Sequence, residues 1–185
     1  MKKINISILV FLMTATITLA QYQPGSRLLT VTGGWSLMNI EESSNSVGGF
    51  ETGLSLEQTS FNGKWAYGAS WTFVQIKEDV ASDRAFYRTG PLTFQGKYLF
   101  GGSGAKGFVQ TNLGFHNSRV TWNGTRADLQ SWDYGFALGA GGGIQKYISE
   151  KAFVTMGYNI KWLQNSFFKD GLLHTFYGGL GFQFP

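Results

Sequence analysis

The stretch "FHNSR" sets His116 two residues before Ser118, and Asp128 follows in the same polar segment. An imidazole within reach of a hydroxyl removes its proton as the oxygen attacks an acyl carbon, and a carboxylate on the far ring nitrogen holds the tautomer. That is the chemistry of nucleophilic acyl transfer. A second set, Glu51, Glu57, Lys97, Asp133 and Lys161, carries both signs of charge. If these side chains share an interior they must pair into a network, because an isolated buried charge is strongly unfavourable. A third set, Arg84, Arg88, Arg119, Trp122 and Arg126, mixes guanidinium groups with indoles, as binding hot spots do. The chain has no Cys, which excludes disulfides, thiolate metal sites and thiol nucleophiles. The glycine run Gly139 to Gly143 is not followed by a helical pattern and so is no phosphate loop. No cofactor or metal is expected.

What must position these residues is a set of strands. From Gln21 onward apolar and polar residues alternate with period two and show no helical repeat. Eight such segments are predicted, near 29–37, 50–57, 65–73, 92–100, 109–116, 132–145, 154–162 and 172–184. In the last, His174, Phe176, Leu180, Phe182 and Phe184 share one face, and Leu173, Thr175, Tyr177, Gly179 and Gln183 the other. Throughout, one face is greasy and the other is small and polar. His116 falls on the small, polar face; His174 falls on the greasy one and is assigned no chemistry.

The connections alternate as well. Asn62–Lys64, Gly101–Gly107 and Ser149–Lys151 are tight, the first an Asn-Gly hairpin signal. Met38–Gly48, Lys77–Gly90, Asn117–Ser131 and Gln164–Gly171 are longer and polar. The third group of residues, with Asp79 and Asp83, is placed in the longer loops, and Asn123-Gly124 is read as a turn there. Short turns at one end of a meander and long loops at the other match transmembrane barrels of bacterial outer membranes, whose turns and termini are periplasmic.

Residues 1–20 read as a cleaved signal peptide. Lys2 and Lys3 precede a mostly apolar run, and "TLA" before Gln21 supplies small residues for cleavage. Residues 21–185 then form one barrel domain. Removal of those two lysines lowers the formal charge from +4 to +2, with 13 basic residues facing 11 acidic ones, so nucleic acid is not an expected partner. The 16% aromatic and 14% charged composition is far from that of a disordered chain.

Two architectures share this pattern. A secreted ligand-binding calyx would turn the greasy face inward, and "GGW" at Gly33–Trp35 resembles the first-strand Gly-x-Trp of lipocalins. A membrane barrel would turn it outward. Most strand glycines lie on the polar face, where a narrow interior needs small residues. Trp35, Trp65, Tyr98, Trp132, Tyr158 and Trp162 lie near strand ends on the greasy face, as interfacial girdles do. The expected fold is therefore all-β, an eight-stranded antiparallel up-and-down transmembrane β-barrel.

The C-terminal "YGGLGFQF" resembles the signal by which barrel-assembly machinery recognises outer-membrane proteins, with Tyr177, Gly179, Phe182 and Phe184 at the matching positions. Pro185 is a departure, since that pattern ends on the aromatic residue. As a whole the mature chain resembles the small bacterial outer-membrane β-barrel family, the OmpA-like and OmpX-like barrels of eight strands. The resemblance implies export to the outer membrane of a diderm bacterium. It also implies contact with outer-membrane lipid and lipopolysaccharide, and a non-enzymatic structural, accessory or surface-interaction role through extracellular loops. A larger membrane complex is a further partner it allows, and with no domain after Phe184 none that grips peptidoglycan is expected. The pair His116 and Ser118 resembles the His-x-Ser of lipid A-modifying barrel enzymes, but Arg119 stands where that family has Asn. Parity also aims His116 at the lumen, so no catalytic residue is assigned.

Overall fold

The structure, a computed structural model, describes residues 22–40, 46–80, 83–125, 130–164, 166 and 168–185. Residues 1–20, read as a signal peptide, and Gln21, Arg126 and Asp128 lie outside the described residues.

Nine strand segments form the molecule: β1 (Arg27–Ile40), β2 (Ser46–Thr59), β3 (Trp65–Val80), β4 (Asp83–Thr89), β5 (Leu92–Gly101), β6 (Ala105–Asn123), β7 (Gln130–Tyr147), β8 (Ala152–Leu163) and β9 (Phe168–Phe184). All pairings are antiparallel, and β1 pairs with both β2 and β9, which closes the ring. Both β4 and β5 lie between β3 and β6. They keep one register, because Val74 faces Thr89 and, three residues away on each strand, Trp71 faces Leu92. The interruption is Gly90-Pro91, where proline has no N–H for the ladder. The ring thus has the eight expected positions, one of them broken by a proline.

Closure removes the edges that would recruit other chains. The final strand is covered along its length: Phe182 faces Leu29 on one side and Ala152 on the other. At the tight end Gly63 has φ of 68°, the left-handed geometry that the Asn62-Gly63 turn requires. At the other end Gly124 has φ of 107°, directly after the last residue of β6, so the Asn-Gly turn read at Asn123 is present.

Alternation along β6 decides which face is outside. Val109, Leu113 and Phe115 are 54%, 60% and 65% exposed, whereas Gln110, Asn112 and His116 are 7%, 5% and 3% exposed. The outer wall continues this way around the ring through Leu54, Phe94, Phe136, Met156, Phe176 and Leu180. An apolar surface of this extent far exceeds the patches that water-soluble monomers leave bare. Trp65 and Tyr98 meet edge-on at 5.0 Å near the tight turns, while Trp35, Trp132 and Trp162 stand toward the loop end. The greasy face is outside, and the calyx arrangement with that face inward is excluded.

Two expectations are corrected. The segments Lys77–Gly90 and Asn117–Ser131 are largely strand, because β3, β4, β6 and β7 continue pairing well past the apolar belt. Likewise β1, β2 and β9 extend into what was read as loop. The inner face is also not uniformly small and polar. Met38, Ile76, Tyr87, Val120, Leu163 and Leu173 form an apolar cluster toward the loop end. Tyr22, Leu28, Leu99, Phe108, Tyr147 and Phe153 form another toward the turn end. Glycine makes room for them: a Cβ on Gly181 would fall inside the Phe153 ring.

Candidate functional site

Between the two apolar clusters lies a polar layer, built from inward positions of β1, β2, β3, β5, β6, β8 and β9. Lys161 Nζ donates to Glu51 Oε1 at 2.8 Å and to Thr72 Oγ1 at 3.2 Å. The other carboxylate oxygen, Glu51 Oε2, accepts from Ser36 at 3.1 Å and Thr175 at 2.8 Å. Lys97 Nζ donates to Glu57 Oε2 at 2.8 Å and sits 5.1 Å from the centre of the Phe108 ring. All four charged side chains are nearly inaccessible. Four of the five residues expected in an interior network therefore form two buried ion pairs. Asp133 does not join them. β8 stops at Leu163, which leaves the top of β7 without a partner strand on that side, and Asp133 instead accepts from Ser166 N at 2.6 Å and Ser166 Oγ at 2.9 Å.

The cavity in this layer is about 50 Å³, lined by Thr32, Ser70, Gln95, Asn112, Asn159 and both lysines among others. That is room for a few water molecules. With apolar side chains above and below, the lumen is filled as eight-stranded interiors usually are.

His116 and Ser118 are both buried on the inner face, so the parity reading of His116 holds. His116 Nδ1 lies 3.0 Å from Ser118 Oγ, but that hydroxyl donates to Thr89 Oγ1 at 2.9 Å. The other ring nitrogen, Nε2, donates to the carbonyl of Gln164 at 3.0 Å. A backbone carbonyl thus occupies the place where a triad has its carboxylate. Buried beside the upper apolar cluster, the pair ties β6 to β4 and to the end of β8. His174 is on the outer wall, where Tyr158 Oη lies 2.6 Å from its Nδ1 and satisfies it within the belt. Among the described residues no group of three His, Asp or Glu side chains could hold a metal ion.

The arginine set divides. Trp122 turns inward and packs on the upper apolar cluster, so it is not a surface contact. Arg84 lies on β4 and pairs with exposed Asp79, whose carboxyl that hydrogen bond holds below its usual range. Arg88 and Arg119 face outward from β4 and β6 at directly opposed positions. Asp83, at the start of β4, accepts from Thr125 N at 2.7 Å and so fastens the adjoining hairpin tip. Of the assembly-signal positions, Tyr177 and Gly179 point inward, while Phe182 and Phe184 are on the outer wall. What sequence reasoning missed is the pair of apolar clusters, and the doubled apolar residues Leu99-Phe100, Phe108-Val109 and Phe153-Val154 were the available signal.

No family model and no curated protein sequence matches the chain. Solved structures do match in fold. Neisserial surface protein A superposes with a TM-score of 0.63 at 13% identity, over 86% of this chain and 97% of that one. Ail, the attachment invasion locus protein of Yersinia pestis, gives 0.57 at 15% identity, over 88% of this chain and 100% of that one. The N-terminal barrel domain of Pseudomonas aeruginosa OprF gives 0.56 at 16%, again over 88% and 100%. In fold, this chain is one of the small eight-stranded transmembrane β-barrels, with the OmpA-like and OmpX-like architecture of those outer-membrane proteins.

Proposed function

We propose that this protein is an integral barrel of the bacterial outer membrane with no catalytic activity of its own. It would serve as a structural or accessory component that presents its long hairpins to lipopolysaccharide, a surface ligand or a larger membrane complex. The observation that carries this reading is the pairing of an apolar outer wall with a lumen sealed by two apolar clusters around two ion pairs. Among the described residues this filling of the lumen supports a membrane body without a channel or an interior substrate site. Residues 1–20 would direct export, and Tyr177, Gly179, Phe182 and Phe184 would present the last strand to barrel-assembly machinery.

The rival reading, a lipid A-modifying enzyme built on His116 and Ser118, is disfavoured by their burial behind the barrel wall. Two measurements test the proposal together. Cells expressing wild-type or His116→Ala protein should have the same lipid A composition by mass spectrometry, and a difference between them would establish catalysis. Fractionation of the native host, followed by mild-detergent extraction of the tagged barrel, should recover it in the outer membrane. Stoichiometric companions would make it an accessory subunit, recovery alone would favour a self-sufficient surface barrel, and solubility without detergent would refute the membrane reading.

A further inference from the structure

Arg88 on β4 and Arg119 on β6 are direct cross-strand neighbours, and both alternate outward. Like charges directly opposed on adjacent strands repel and normally destabilise the pairing. Among the described residues, nearby carboxylates do not relieve them. Asp79 is taken by Arg84, and Asp133 is on the inward register, held by Ser166. Each guanidinium is instead steered by a neutral amide: Arg88 Nε donates to Gln75 Oε1 at 2.9 Å, and Arg119 Nη2 donates to Gln130 Oε1 at 2.6 Å. Arg119 Nε is inaccessible and has no acceptor. The same guanidinium lies 4.8 Å from the centre of the Trp132 ring, a cation–π contact on the outer wall. Together Arg88, Arg119, Trp71, Phe73, Trp132 and Asn117 line a surface cavity of about 280 Å³.

This arrangement has the chemistry of an anion clamp. Two forks with unfilled donors suit the oxygens of a phosphate, which guanidinium groups bind in bidentate fashion. Its place identifies the source of the phosphate. The cavity opens on the outer wall, where Trp71, Phe73 and Trp132 of the apolar belt give way to polar residues, which is the depth of a lipid headgroup. Its aromatic side would take the glycan or upper acyl portion of the same molecule. We propose that Arg88 and Arg119 form a clamp for the phosphate of an anionic glycolipid of the outer leaflet, of the diphosphorylated lipid A class. This inference rests on the membrane reading given above.

The test is native mass spectrometry of the full barrel purified in detergent. Diphosphorylated lipid A, its dephosphorylated counterpart and phosphatidylcholine are added in turn. Folding of every sample is first checked by heat-modifiable migration on gels. A wild-type sample that does not migrate as a folded barrel in detergent would overturn the membrane reading and this inference with it. For the folded wild type, diphosphorylated lipid A should bind at least about tenfold more tightly than either other lipid. Arg119→Gln should lose roughly tenfold, as removal of charge-assisted hydrogen bonds does. Arg88→Gln/Arg119→Gln should abolish the preference, and Lys151→Gln, at the opposite end of the barrel, should keep it. If the double variant does not fold, Arg119→Lys serves in its place, retaining charge but losing the fork, with a several-fold loss expected. Equal binding of the three lipids by a folded wild type would overturn the inference while leaving the barrel intact. So would displacement of the lipid by millimolar inorganic phosphate, which would mark a site for a soluble anion.

Discussion

Replacement of Lys161 by alanine is expected to destabilise the barrel by about 3–5 kcal/mol, the cost of leaving one partner of a buried ion pair alone. Glu51 would retain Ser36 and Thr175 as donors but lose the cation that neutralises it inside the wall. No described cation replaces it, since Lys97 is committed to Glu57. Removing both charges, as Glu51→Gln/Lys161→Met, should cost much less, because a neutral pair of similar volume carries no desolvation penalty. Urea unfolding of the barrel in lipid vesicles, followed by tryptophan fluorescence, measures both variants against the wild type. Destabilisation by the double variant equal to that by Lys161→Ala would mean that the charges do not depend on one another.

The second large effect lies on the other side of the wall. Leu113→Arg places a guanidinium in the apolar belt, with Phe94 and Leu138 on either side. Near mid-membrane such a substitution costs about 2–4 kcal/mol. Moving the same change to Thr121, on the same outward face of β6 but near its loop end, should cost no more than about 1 kcal/mol, the value near an interface. Equal costs at the two positions would mean that the wall has no lipid depth, whereas the predicted gradient is a property of a bilayer and not of a water-exposed surface.

Why some of this was legible in the sequence and some was not follows from where each strand crosses a change of surroundings. Between lipid and lumen the two faces meet opposite environments, so Leu113 and Asn112 differ sharply and period two is plain. Above the belt the outer face meets water, and Lys77, Arg84 and Arg88 lie on it with Phe86 among them, so polar residues replace the continuous apolar row that marks the belt. Their ladder continues, since backbone pairing does not depend on side-chain contrast, and what reads as loop is strand. At the turn end the converse applies. Leu99-Phe100 and Phe108-Val109 are apolar on both faces, one residue filling the lumen and the next facing outward, so the inner cluster has no alternation to announce it.

The interior charges show the same limit. Parity places Glu51, Glu57, Lys97, Asp133 and Lys161 on one face, but only three-dimensional register pairs Glu51 with Lys161 across the lumen. Asp133 was grouped with them because its parity agrees. Its exclusion depends on the end of β8, a strand boundary that composition does not mark. The opposed arginines were legible as residues but not as a pair, because Arg88 and Arg119 meet only through the pairing of β4 with β6.

The central claim, that the greasy face meets lipid, is tested most directly by spin labelling. The chain contains no Cys, so single cysteines can be introduced from Val109 to Phe115 on an unmodified background and labelled with a nitroxide. In vesicles, Val109, Thr111, Leu113 and Phe115 should show high accessibility to oxygen, which partitions into lipid, and low accessibility to an aqueous nickel chelate. Gln110, Asn112 and Gly114 should be shielded from oxygen, giving a clear oscillation of period two. A chain that remains in aqueous solution, or odd-numbered positions that report the chelate and not oxygen, would contradict the account.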